Sequence, residues 1–131
     1  MLAQGPRQIN LQLKTELDAH EEFVKLPNAE QARVPEAKLR SYLLSSEHTI
    51  GRFKSRFFAA LGFTDENWSE LRERLLELAQ GSAELGDTSQ FGQKYLVSAR
   101  LRGPRDSAEV VTVWIVLEGD DAPRLVTVYP R

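Results

Sequence analysis

The sequence predicts an α+β domain in which N-terminal helices are followed by a C-terminal antiparallel meander of three to four strands, with the helices packed on one face of the sheet. Three observations carry that expectation. Between residues 35 and 81, apolar residues recur near a 3.6-residue period in three runs bounded by capping residues. After residue 92 the period falls to 2, and β-branched and aromatic residues take over. "GPRD" (103–106) and "GDDA" (119–122) then divide this half as hairpin turns do.

Residues 1–25 read as an N-terminal arm, and residues 26–131 as the single domain. "INLQLKTEL" (9–17) alternates like a strand, yet Ile9, Leu13, Leu17 and Val24 hold near-helical spacing, so a helical arm is expected. "KLPNAEQARVPEAK" is a connector whose Pro35 suits the start of a helix, where its missing N–H costs nothing. The first helix, "PEAKLRSYLLSS" (35–46), turns Leu39, Tyr42 and Leu43 to one side. "TIGRFKSRFFAALG" (49–62) is the second, with Thr49 as N-cap and Gly62 as its left-handed stop. The third, "TDENWSELRERLLELAQG" (64–81), has Thr64 or Asp65 as cap and Trp68, Leu71, Leu75 and Leu78 on one stripe. "SAELGDTSQFG" reads as a polar loop. "QKYLVSARLR" (93–102), "AEVVTVWIVLE" (108–118) and "PRLVTVYP" (123–130) are the strands.

With 131 residues the chain fits one domain with a core of its own, and 41% apolar against 27% charged residues is the balance of a globular protein. The absence of cysteine removes disulfides and thiolate chemistry, which makes a reducing cytoplasm the expected compartment. The start carries no signal-peptide pattern and no apolar run is long enough for a membrane span. A net charge of −2 advertises no global field for polyanions, so any such site must be local. No GxGxxG or P-loop pattern occurs, and the two histidines, His20 and His48, lack metal-ligand spacing. Neither a cofactor nor a metal is expected.

Alternation separates the faces of the sheet. Val111, Val113, Ile115 and Leu117 form an unbroken apolar row expected under the helices, together with Tyr95, Val97, Ala99, Leu101, Val126 and Val128. That sends Thr112, Trp114, Arg100, Leu125, Thr127 and Tyr129 to the open face. Such a face is either an ordinary solvated surface or a platform where cations meet phosphate and an aromatic stacks on a base. On the second helix, at about 100° per residue, Lys54 points towards the protein beside Phe58 and Leu61, while Arg52 and Arg56 lie on the opposite edge. Its ammonium either snorkels along apolar surface or emerges in a cleft near His48 and the positive helix N-terminus, where an anion is favoured. His48 titrates near neutrality, as acid–base chemistry requires, although such a residue is also common at an exposed helix start.

The blocks "LPNAEQARVP", "YLL", "HTIGRFKSRFF", "LGFTDENW", "FGQKYLV", "LRGP", "VVTVWIV" and "PRLVTVYP" stand in an order that resembles a bacterial family known as domain of unknown function 6883. The departure is Thr49, where the family pattern has proline. That architecture is in turn similar to the barnase, EndoU, colicin and RelE-like class of small toxin ribonucleases. The resemblance implies a metal-independent enzyme that cleaves RNA through the ribose 2′-hydroxyl. His48 would be general base or acid, with Lys54 and Arg52 clamping the phosphate and Thr112, Thr127 and Tyr129 positioning it. Arg100 and Trp114 complete the expected substrate platform. RNA and an antitoxin or immunity protein are the expected partners, with no membrane. A non-catalytic protein-interaction module is the alternative, and the slightly acidic charge favours it.

Overall fold

The structure, a computed structural model, describes residues 23–45 and 51–131, with the backbone alone at 51–53. A five-stranded antiparallel sheet runs in the order β1 (Phe23–Lys25), β2 (Ser82–Ser89), β3 (Gly92–Arg102), β4 (Ser107–Leu117), β5 (Arg124–Pro130). The helical region lies between β1 and β2 in the chain. The class is α+β as expected, but with more strands, and with helices that do not simply precede them. The arm ends in a strand: Phe23–Lys25 pairs with Ser82–Glu84, and the rest of the arm lies outside the described residues. The expected polar loop is β2. Ala83 is its one buried residue, so a largely exposed strand held by backbone pairing to β1 and β3 shows almost no apolar alternation.

Pro35, Gly62 and Thr64 mark helix ends as expected, the third helix stops at Leu78 before Gly81, and Thr49, the expected N-cap of the second, lies outside the described residues. α1 (Glu36–Lys38) opens after Pro35 and continues as a π-helical turn, Leu39–Leu43, in which the Leu44 N–H donates to the Leu39 carbonyl at 2.7 Å. α2 (Gly51–Leu61) stops at Gly62, with φ +102°. Thr64 caps a 3₁₀ turn, Asp65–Asn67: its hydroxyl accepts from the Glu66 N–H, and Asn67 Oδ1 accepts from the Thr64 N–H. α3 (Trp68–Leu78) follows and buries Leu71 and Leu75. The end of α2 is fastened to the β3–β4 turn, where the Arg105 N–H donates to the Leu61 carbonyl at 2.9 Å. Glycine is required at 103, since a Cβ there would lie 2.1 Å from that same oxygen.

Helices and sheet share one core: Leu39, Leu43, Phe58, Leu61, Phe63, Leu71 and Leu75 pack against Val97, Leu101, Val110, Trp114, Leu125 and Val128. This inverts the expected face of the central strand. Tyr95, Val97 and Ala99 face the helices as expected, and their direct partners are Trp114, Thr112 and Val110. Directly paired residues share a side of a sheet, so Thr112 and Trp114 must go inward with them. The unbroken apolar row at 111, 113, 115 and 117 takes the other face. The register, set by Arg102 pairing with Ser107 across the turn, decided what two equally apolar rows could not. On β5, a register shift pairs Val113 with Thr127 but Trp114 with Leu125. The extra residue, Val126, is a bulge that brings Leu125 into the core, where it is 1% exposed rather than outward.

Candidate functional site

β5 is an edge strand, and its free side forms the site. The Arg131 N–H donates to the Glu109 carbonyl, so residues of the same parity on β5, Tyr129 and Thr127, bond to β4. The carbonyl of Val128 and the position of Pro130 therefore point away from the sheet. Proline is at home there, since it has no N–H to leave unpaired. α2 meets this edge through Lys54, with Phe58 buried and Phe57 half-buried, their rings 5.2 Å apart edge to face.

That packing carries Lys54 inward, as the helical angle requires. Its ammonium donates to Thr127 Oγ1 at 2.7 Å and to the Val128 carbonyl at 3.1 Å. It also lies 5.6 Å from the centre of the Tyr42 ring, and Lys38 approaches the same ring at 5.6 Å. Tyr42 is placed by the π-helical turn, so two ammonium groups from different elements flank one aromatic. Neither lysine is in an ion pair among the described residues. Partial burial without a counter-ion pushes the Lys54 amine below the ordinary lysine value of 10.5. Beside it opens a cavity of about 520 Å³ between Ala37, Lys38 and Tyr42 on the helical side and Ile115, Arg124 and Val126 on the sheet.

The expected site residues separate into groups. Lys54 and Thr127 come together. Tyr129 stays on the outward face and is 38% exposed, next to Val111. Arg100 is also outward, but its guanidinium is held by Glu109 directly across the strands at 2.9 Å. Thr112 and Trp114 are fully buried, which corrects their expected outward placement. Trp114 Nε1 donates to Thr112 Oγ1 at 2.8 Å, and that hydroxyl donates to the Val97 carbonyl at 3.0 Å. Every hydrogen-bonding group of the pair is thus satisfied inside the core, away from any ligand. His48 and the side chain of Arg52 lie outside the described residues.

Sequence reasoning missed Tyr42 and Lys38. Tyr42 was assigned to the apolar side of its helix, and nothing in the local pattern signals that a second lysine would meet its ring. The i, i+4 spacing of Lys38 and Tyr42 was the available clue. Among the described residues no group of three or more His, Asp or Glu side chains could hold a metal, and no helix is long and apolar enough to cross a membrane.

The protein is thus an α+β domain built on a five-stranded antiparallel sheet, one edge of which is latched to a helix by Lys54. Residues 25–131 match the family described as Domain of unknown function (DUF6883), and the chain belongs to that family. No curated protein and no solved structure matches it.

Proposed function

We propose that the domain binds the phosphodiester backbone of RNA at the Lys54 edge and cleaves it without a metal, as toxin ribonucleases do. The observation that supports this reading is an ammonium in no ion pair among the described residues, held on a threonine hydroxyl beside the Tyr42 ring that lines a cavity. Thr127 Oγ1 accepts from Lys54, so its own O–H remains to donate to a phosphate oxygen. Lys54 and Arg52 stabilise the charge that grows on phosphorus, and Tyr129 and Thr127 orient the chain. His48 takes the proton of the ribose 2′-hydroxyl as that oxygen attacks phosphorus. The 5′ oxygen leaves with the proton that His48 has taken up, giving a 2′,3′-cyclic phosphate and a 5′-hydroxyl end and returning the imidazole to its neutral form. Thr112, Trp114 and Arg100 have no part in this version of the site.

Cleavage of total RNA by wild type, His48→Ala and Lys54→Ala is the test. Loss of roughly 10²-fold or more in both variants, with folding retained, is the expected result. A folded but inactive wild type overturns it.

A second reading, a protein-interaction module, is favoured by Phe23, Leu85 and Phe91, which are 51%, 57% and 64% exposed near the β1–β2 end of the sheet. Recovery of one stoichiometric protein partner, lost in Phe91→Ser, with no loss of RNA, would select it.

A further inference from the structure

A second cavity of about 510 Å³, sharing Pro35 and Arg124 with the first, opens where the connector 32–35, α3 and the start of β5 meet, and three arginines line it: Arg33, Arg72 and Arg124. The backbone fixes two of them. Arg33 and Arg124 form an isolated parallel bridge, with the Arg33 N–H donating to the Pro123 carbonyl at 2.9 Å and the Leu125 N–H to the Arg33 carbonyl at 3.0 Å. Like charges on directly paired positions repel, so pairing two arginines costs stability unless negative charge offsets them. The third is held from another side: Arg72 Nε donates to the Val34 carbonyl at 3.2 Å while its guanidinium stacks on Trp68, 5.0 Å from the ring centre. With Nε engaged, the outer Nη groups are left to meet a ligand.

The charges are not balanced from within. Among the described residues Asp120 is the one carboxylate paired with any of the three, 3.5 Å from Arg33 Nη1. Acceptance of the Ala122 N–H, with Arg33 and Arg124 nearby, holds that carboxyl below its usual range, so it is ionised at neutral pH. Three guanidiniums against one carboxylate leave two net positive charges, and a phosphate monoester carries about −1.5 to −2 at pH 7. Arginine forks also match phosphate oxygens in pairs, which ammonium groups do not. Val34, Pro35 and Leu76 give the cavity an apolar wall for the organic part of the ligand.

We propose that this pocket binds a phosphate monoester, with Arg33, Arg72 and Arg124 gripping its oxygens. The site goes beyond the RNA-cleavage reading and stands whether or not RNA is cut. The phosphate belongs either to the terminus of an oligonucleotide or to a small phosphorylated molecule. Both present the same dianion.

Titration calorimetry of the full chain tests it with three probes: inorganic phosphate, a 5′-phosphorylated dinucleotide beside its unphosphorylated form, and a sugar phosphate. Saturable binding at one site is expected for the phosphorylated probes and none for sodium chloride at matched ionic strength. Arg33→Gln and Arg124→Gln, both on exposed side chains, should each weaken binding about tenfold, whereas Arg74→Gln on the outer surface of α3 should not. Tighter binding of the dinucleotide or of the sugar phosphate identifies the source, and either supports the site. No saturable binding by any phosphorylated probe, or equal binding in the folded Arg33→Gln/Arg124→Gln double variant, overturns it.

Discussion

Two threonines of the same sheet hold hydrogen bonds of opposite character. Thr112 sits in the core with its hydroxyl shared between the indole N–H of Trp114 and the Val97 carbonyl, all neutral and sealed from water. Thr127, on the neighbouring edge strand, accepts from the charged Lys54, which is only partly buried. The first arrangement can only stabilise. Desolvation there makes any loss of a partner costly, and no ligand reaches it. The second leaves an ammonium with hydrogen bonds but no ion pair among the described residues, an arrangement that would accept an anion. Residues of one type, on consecutive strands, divide into structure and site according to which face and edge the register gives them.

Mutation should separate the two regions sharply. Trp114→Ala is the largest change, expected to destabilise by about 3–5 kcal/mol in chemical denaturation, since it empties a fully buried site in the core. Thr112→Val keeps the volume but strands the indole N–H, which should cost about 1–3 kcal/mol; the double variant with Trp114→Phe should recover part of that loss. If Thr112→Val is as stable as wild type, the buried pair does not exist as described. Lys54→Met should change stability by less than either, within about 1 kcal/mol, while removing binding of anions at the edge of β5. Should Lys54→Met retain full affinity for single-stranded RNA, the contrast between the two threonines loses its functional half.

The smallest effect is a pH dependence. The folded protein lowers the Lys54 pKa by burial, so between that lowered value and 10.5 the unfolded chain binds more protons than the folded one. Stability therefore rises with pH through this window, and the cost of burying the ammonium is fully present below it. Denaturation midpoints measured across the alkaline range should show this increment in wild type and lack it in Lys54→Met. Anion binding should fall over the same window.

Helix positions and ends were legible in the sequence because their causes are local. Pro35, Thr64 and Gly62 act through the backbone within a residue or two of themselves, and the inward lean of Lys54 follows from its angular distance to Phe58 and Leu61. β2 was not legible, because a strand with a single buried residue carries no alternation to read. The face of β4 was not legible either, and for a different reason: both rows, Val110-Thr112-Trp114 and Val111-Val113-Ile115, are apolar enough to be core.

By itself the sequence determined an α+β chain with capped helices, a C-terminal meander and a lysine aimed at the protein interior. Tertiary structure alone decided that Thr112 and Trp114 are core, that Leu125 turns inward at a bulge, and that Arg33, Arg72 and Arg124 share one cavity. The reason is range. Dihedral preferences and capping bonds are set by neighbours in the chain, whereas register, bulges and the meeting of distant cations are set by pairing across up to ninety or so residues, for which a local pattern has no signature.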